Sequence, residues 1–227
     1  MNLALFDLDH TLLPLDSDHE WGEFLARIGA VEAESFRKAN DQWFAHYQAG
    51  TLDPIKYLEF AFEILSRFPR AQLDEMHRQF MQEVVQPAIL PQAVALVKKH
   101  LDAGDLVAIV TATNHFVTKP IAEQFGRVHL IAAMPELDAQ GNITGKLVGT
   151  PTLGAGKVTH TDAWLAELGH TLDKFERSYF YSDSQNDIPL LERVTHPIAT
   201  NPNAKLLAHA QERGWPVLNL FEDGHAQ

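Results

Sequence analysis

Leu3-Ala4-Leu5-Phe6-Asp7-Leu8-Asp9-His10-Thr11 runs four apolar residues into two carboxylates spaced two positions apart. A short apolar run of this kind reads as a buried strand, so Asp7 and Asp9 stand in the loop at its carboxyl end. The arrangement recurs far down the chain, where Ser178-Tyr179-Phe180-Tyr181 leads into Ser182-Asp183-Ser184-Gln185-Asn186-Asp187. In an open parallel sheet the carboxyl ends of both strands face one crevice, which is where such sheets bind ligands. Carboxylates gathered there repel one another and resist desolvation, at a cost of roughly several kcal/mol, unless a cation or protons neutralise them. Oxygen-only donors favour Mg2+, which keeps part of its water shell and shares the rest with phosphate oxygens. These residues therefore point to a magnesium cofactor and phosphate chemistry.

Between the acidic loops the pattern changes character. From Ser17 to about Val85 only helical periodicity is present. Ser17 and Glu20 form a capping-box pattern, and Trp21, Phe24, Leu25 and Ile28 recur at helical spacing. Further helices are expected over Ala33 to Tyr47, over Pro54 to Ser66 with proline in the first turn, and over Ala71 to Val85. Four helices without a strand read as a separate bundle, with Trp43, Phe44, Phe60 and Phe62 as core aromatics. Beyond Pro91, helices and strands alternate, with strands at Leu106 to Val110, Val128 to Ala133, Ser178 to Tyr181, Pro197 to Ala199 and Pro216 to Leu218. Gly141-Asn142 marks a small hairpin within that alternation. The fold class is α/β: a doubly wound, Rossmann-like parallel sheet interrupted after its first strand by an all-helical, four-helix cap. Residues 1–15 and 88–227 are assigned to the core, and residues 16–87 to the cap.

Composition narrows the classes of function. At 227 residues and 45% hydrophobic content the chain can bury a sizeable core. It has no cysteine, which excludes a disulfide frame, a thiolate zinc site and a thiol nucleophile. A net charge of −12 disfavours nucleic acid or an anionic membrane as partner. The amino terminus meets Asp7 too soon for a signal peptide and no apolar run spans a membrane, so a cytoplasmic protein is expected. The 12 histidines form no HExxH pair or comparable zinc motif.

Asp7-Leu8-Asp9-His10-Thr11 resembles the first motif of the haloacid dehalogenase superfamily, Asp-x-Asp-x-Thr, in its phosphatase form. The other motifs follow in the family's order. Val107-Ala108-Ile109-Val110-Thr111 resembles the second, with Thr113 as rival to Thr111; Lys157 resembles the third; Asp183 to Asp187 resembles the last. The resemblance spans Leu3 to about Ala199 and implies phosphomonoester hydrolysis in two steps. Asp7 would be the nucleophile that forms an aspartyl phosphate, and Asp9 the general acid and base. Mg2+ would be bound by Asp7, the backbone carbonyl of Asp9 and Asp183, with Asp187 bracing the site from behind. Thr111 and Lys157 would hold phosphate oxygens, with the backbone amides near Leu8 and Ala112 and the side chain of Asn186 as further donors.

Within the superfamily the chain is most similar to phosphoserine phosphatases. In those enzymes an acidic residue nine positions after the nucleophile binds the substrate ammonium, and Asp16 stands there; Asp18 reinforces the negative mouth. A helix arginine that binds the substrate carboxylate is replaced by Phe62, counting from Pro54, and Arg37, Arg67, Arg70 and Arg78 are the possible substitutes. An ammonium anchor without a carboxylate anchor suits an amino-alcohol phosphate. Asp16-Ser17-Asp18-His19 with Trp21 also resembles bacterial members of the subgroup assigned as histidinol phosphatases, so histidinol phosphate is the expected substrate and phosphoserine the alternative. A phosphotransferase would use the same intermediate. A non-catalytic ligand-binding or interaction protein that keeps the fold is the alternative of another class.

Overall fold

The computed structural model describes residues 1–221; residues 222–227, the end of the segment assigned to the core, lie outside the described residues. Seven strands form one sheet: β1 (Leu3–Phe6), β2 (Leu106–Asn114), β3 (His129–Leu137), β4 (Ile143–Val148), β5 (Ser178–Ser182), β6 (His196–Thr200) and β7 (Val217–Leu218). Their order is β4-β3-β2-β1-β5-β6-β7, parallel throughout except for β4. The sheet is of the parallel-dominated, Rossmann-like kind expected from the alternation of strands and helices. The Gly141-Asn142 turn sets β4 antiparallel to β3, with Gly141 at φ 83° and Asp138 accepting the amides of Gln140 and Asn142.

β1 is flanked on both sides, Phe6 pairing with Ile109 of β2 and with Tyr181 of β5. That register places Asp7 level with the start of the second acidic loop. Strand alternation divides the apolar side chains between the two faces. Leu3, Leu5, Ala108 and Val110 pack with residues of α8 (Ala155–Glu167), α9 (Ile188–Leu191) and α10 (Ala204–Arg213). Ala4, Phe6, Val107 and Ile109 pack with α6 (Pro91–Asp102) and α7 (His115–Ala122) on the other face.

The intervening helices are α1 (Ser17–Arg27), α2 (Ala33–Ala49), α3 (Pro54–Ser66) and α4 (Arg70–Phe80). α4 continues through a π-helical turn, Met81–Val85, into the short α5 (Gln86–Ala88). Pro87 has no amide to donate back to Glu83, and the wider turn accommodates the missing bond. Phe24, Phe62 and Phe80 from these helices join the same apolar cluster as Phe6 and Ile109. The helical segment therefore shares its core with one face of the sheet, where the sequence pattern implied a separate bundle.

Two local expectations change. The N-cap of α1 is Asp16, whose Oδ1 accepts the amides of Asp18 and His19 at 3.0 and 2.9 Å; Ser17 is the first helical residue. A carboxylate accepts from the helix terminus more strongly than the serine hydroxyl of a capping box. Trp43 and Phe44 are half-buried and line a cavity, so they are wall residues and not core. Among the described residues no single helix is long and apolar enough to cross a membrane.

Candidate active site

The Asp7 amide donates to the Tyr181 carbonyl at 2.9 Å, extending the β1–β5 ladder by one bond before the chain turns. The Leu8 carbonyl then accepts the amides of Thr11, Leu12 and Leu13, and His10 takes a left-handed conformation with φ 56°. The side-chain amide of Asn201 holds this turn by donating to the carbonyls of His10 and Thr11. The result returns Thr11 beneath Asp7. Its hydroxyl lies 3.1 Å from Asp7 Oδ2 and 3.2 Å from Asp183 Oδ1 and accepts the Asp183 amide at 3.0 Å. Having one proton, it donates to one carboxylate at a time.

Lys157, on the first turn of α8, donates to Asp7 Oδ1 and Asp187 Oδ2, both at 2.7 Å. Ser182 Oγ also donates to Asp187 Oδ2 at 2.7 Å. Asp7, Asp183, Asp187 and Lys157 are all buried, at 4, 7, 1 and 2% exposure. Three carboxylates thus face one ammonium. Burial, aided by Asp7 and Asp187, holds Asp183 well above the ordinary carboxylate range. Burial likewise raises Asp187, against the pull of Lys157. Burial opposes the ammonium of Lys157, but Asp187 and Asp7 outweigh it and its pKa lies above that of an ordinary lysine.

Asp9 points a different way. Its Oδ1 accepts the Ser17 amide at 2.9 Å and its Oδ2 the Thr113 hydroxyl at 2.8 Å. Burial, then the charges of Asp16 and Asp7, pushes its pKa well up. A carboxyl held in the protonated range is the state a general acid needs. Thr111, one strand pleat before Thr113, is buried and accepts the Thr113 amide at 3.1 Å.

A cavity of about 650 Å³, including its open mouth, lies over these groups. Asp7, Asp9, Thr111 and Ala112 form its base, and Trp43, Phe44 and Tyr47 of α2 with Tyr57 of α3 form its wall. Asp16, Asp18 and His19 line it as well, and among the described residues no lysine or arginine side chain does. Burial and the charges of Asp183, Asp7, Asp187 and Asp16 drive the Tyr47 phenol well above its usual pKa, so it stays a neutral donor beside the carboxylates. Asp18 is pushed up to about 7 by burial and by Asp16, despite the hydrogen bond from Tyr57.

The structure brings together Asp7, Asp9, Thr111, Ala112, Lys157, Asp183 and Asp187, and places Asp16 and Asp18 at the cavity wall. Leu8 packs its side chain into the core, leaving only its backbone near the site. Asn186 faces Gly50 at the end of α2, its Oδ1 within 3.7 Å of where a Cβ there would lie. Phe62 is fully buried in the apolar core and is not part of the cavity wall, which corrects its assignment as a substrate residue. It lies one turn beyond Leu58, on the inward face of α3. Arg37, Arg67, Arg70 and Arg78 form ion pairs with Glu23, Glu63, Asp74 and Glu75 and contribute nothing to the cavity wall. Sequence reasoning missed Tyr47, Tyr57, Asn40 and Asn114. Only Asn114 carried a signal, as the polar residue closing β2 after Thr111 and Thr113.

A doubly wound sheet with acidic loops at two adjacent strand ends and a buried lysine between them defines a class of hydrolase. Residues 4–192 match the family model described as haloacid dehalogenase-like hydrolase, and the chain belongs to that family. Over 219 residues the chain is 44% identical to the histidinol-phosphatase of Neisseria meningitidis serogroup C, covering 96% of this chain and 99% of that one. A solved structure of a protein with unknown function from Bordetella pertussis Tohama I shares 50% identity at a TM-score of 0.92, covering 96% of this chain and 98% of that one. A substrate-bound phosphoserine phosphatase superposes with a TM-score of 0.67 at 18% identity, over 96% of this chain and 92% of that one, which shows the same fold.

Proposed function

We propose that this chain is a magnesium-dependent phosphomonoesterase acting on histidinol phosphate. The observation that carries the substrate is the cavity wall, which among the described residues offers carboxylates and aromatic rings but no lysine or arginine. Phosphoserine presents a carboxylate that such a wall repels. Both esters carry an ammonium, but histidinol phosphate has an imidazolylmethyl group where phosphoserine has its carboxylate, and the Neisseria relative of 44% identity is a histidinol-phosphatase.

Asp7, Asp183 and Asp187 fit magnesium by their donor chemistry, because hard carboxylate oxygens outnumber the single ammonium among them. Asp7 and Asp183, joined through the Thr11 hydroxyl, are the residues that would hold it, with Asp187 behind them. When bound there, the ion would supply neutralisation of the phosphate charge.

Asp7 attacks phosphorus in line, forming a phosphoryl–oxygen bond to its carboxylate as the ester oxygen departs. Lys157 at Oδ1 and the Thr11 hydroxyl at Oδ2 orient the Asp7 carboxylate for attack. Asp9 delivers its proton to the departing alkoxide and then takes one from the water that hydrolyses the aspartyl phosphate. Thr113 and the Ser17 amide hold Asp9 in place for both transfers. Thr111, together with the amides near Leu8 and Ala112, binds phosphate oxygens. The side-chain amide of Asn186, next to Asp187, is a further donor to the phosphate. Residues 16–87 act as a cap that excludes water and selects the leaving group.

The test is the ratio of kcat/KM for histidinol phosphate to that for O-phosphoserine in Mg2+. A preference of about 100-fold or more is expected, since a buried carboxylate facing carboxylates is strongly disfavoured. Equal or better turnover of O-phosphoserine contradicts the substrate reading. Absence of any phosphate-ester turnover favours a ligand-binding role.

A further inference from the structure

Asp18 stands apart from the groups that handle phosphate. It is more than nine-tenths buried, it lines the cavity, and both of its oxygens are held by neutral donors. Tyr57 Oη donates to Oδ2 at 2.5 Å and Asn114 Nδ2 donates to Oδ1 at 3.1 Å. These partners come from three separated parts of the chain: Asp18 from α1, Tyr57 from α3 and Asn114 from the end of β2. Asn114 is itself fixed, because its Oδ1 caps α7 through the Val117 amide. The carboxylate is therefore held rigidly, with one lone pair on each oxygen still open.

A buried carboxylate without a cationic partner is costly, and proteins seldom keep one without use. Among the described residues no lysine or arginine side chain lines this cavity, its one histidine, His19, hydrogen-bonds Asn40 and not Asp18, and the nearby Asp16 has an oxygen committed to capping α1. The compensating charge or N–H must then come from the bound molecule. Aromatic side chains share the cavity wall with Asp18, with Trp43 and Tyr57 packed edge to face at 5.8 Å and Phe44 against the ring of His19 at 4.8 Å. A flat N–H-bearing ring matches both features, its faces to the aromatic wall and its edge to the carboxylate.

We propose that Asp18 is the specificity-determining carboxylate that accepts an N–H of the leaving group's imidazole, with Tyr57 and Asn114 as its positioning residues. This rests on the reading of the chain as a histidinol phosphatase and assigns the ring a partner separate from the ammonium site at Asp16. A site built to bind an N–H rejects the analogue that lacks it.

The experiment compares histidinol phosphate with 2-aminoethyl phosphate, which keeps the ammonium and the ester but has no ring. In the wild type, histidinol phosphate is preferred. Asp18→Asn, nearly the same shape, lowers that preference about 30-fold, and Tyr57→Phe lowers it less but in the same direction. Affinity for L-histidinol, measured by calorimetry without turnover, falls by a similar factor in Asp18→Asn. Should Asp18→Asn fail to fold, Tyr57→Phe decides alone. If the variants reduce both substrates equally, or neither, Asp18 is structural and the proposal is overturned while the histidinol phosphatase reading stands. If the wild type shows no preference for histidinol phosphate, both fall together.

Discussion

One ammonium, that of Lys157, is shared by carboxylates 150 residues before it and 30 residues after it. Removing it leaves Asp7 and Asp187 buried without a counter-charge. Lys157→Met is expected to cost about 3–5 kcal/mol of stability in urea unfolding, the usual effect of breaking a buried pair, as well as activity. A Lys157→Met protein as stable as the wild type contradicts the proposed role of the pair. Lys157 could be singled out in the sequence only by its place among the other motifs, since an isolated lysine gives no signal of burial. The acidic residues were easier to read, because each follows an apolar strand. Phe62 was read less well. Counting along a chain locates a residue but not the face of the helix or turn it occupies, and Phe62 falls on the inward face of α3.

At the scale of elements, the start of α8 is the tightest point in the site. A Cβ on Gly156 would lie 2.1 Å from the Pro151 carbonyl oxygen, so the helix can approach that loop only with glycine here. Gly156→Ala must move either the loop or the first turn of α8, and Lys157 is the next residue. Turnover is expected to fall at least about tenfold, with a lowered melting temperature, because displacements of this size misplace reacting groups. Unchanged kinetics would show that α8 shifts without carrying Lys157. The helix spans and the parallel strands were largely legible from periodicity, as the match of Pro54–Ser66 and Ala204–Arg213 shows. The extension of β2 to Asn114 was not, because Thr111, Thr113 and Asn114 are polar residues buried by the site and not by apolar packing.

Over the whole molecule, buried carboxylates set the pH response of the ligand-free protein. Asp18 has a folded-state pKa of about 7 against 3.8 for an ordinary aspartate, and Asp9, Asp183 and Asp187 are raised too. A raised carboxyl pKa adds stability that is full below the unfolded value and is lost as pH rises through the folded one. The melting temperature in EDTA should therefore fall between about pH 4 and pH 7, with Asp18 contributing at most about 4 kcal/mol. Asp18→Asn should flatten this fall, and Mg2+ should offset the share due to Asp183 and Asp187. A melting temperature that is level or rising over that interval in EDTA contradicts the burial of these groups as charged residues. That the helical segment joins the core of the sheet was not legible, since an amphipathic helix shows which face is buried but not what it is buried against.

On the proposed mechanism Asp7 becomes phosphorylated in each turnover. The most direct measurement is an acid quench during turnover of histidinol phosphate in Mg2+, followed by mass spectrometry of the Asp7 peptide, using wild type and Asp9→Asn. One phosphoryl group on Asp7 of the wild type is the expected result, with Asp9→Asn slowing both its appearance and its loss. An unmodified Asp7, together with turnover that survives Asp7→Asn, would contradict the account.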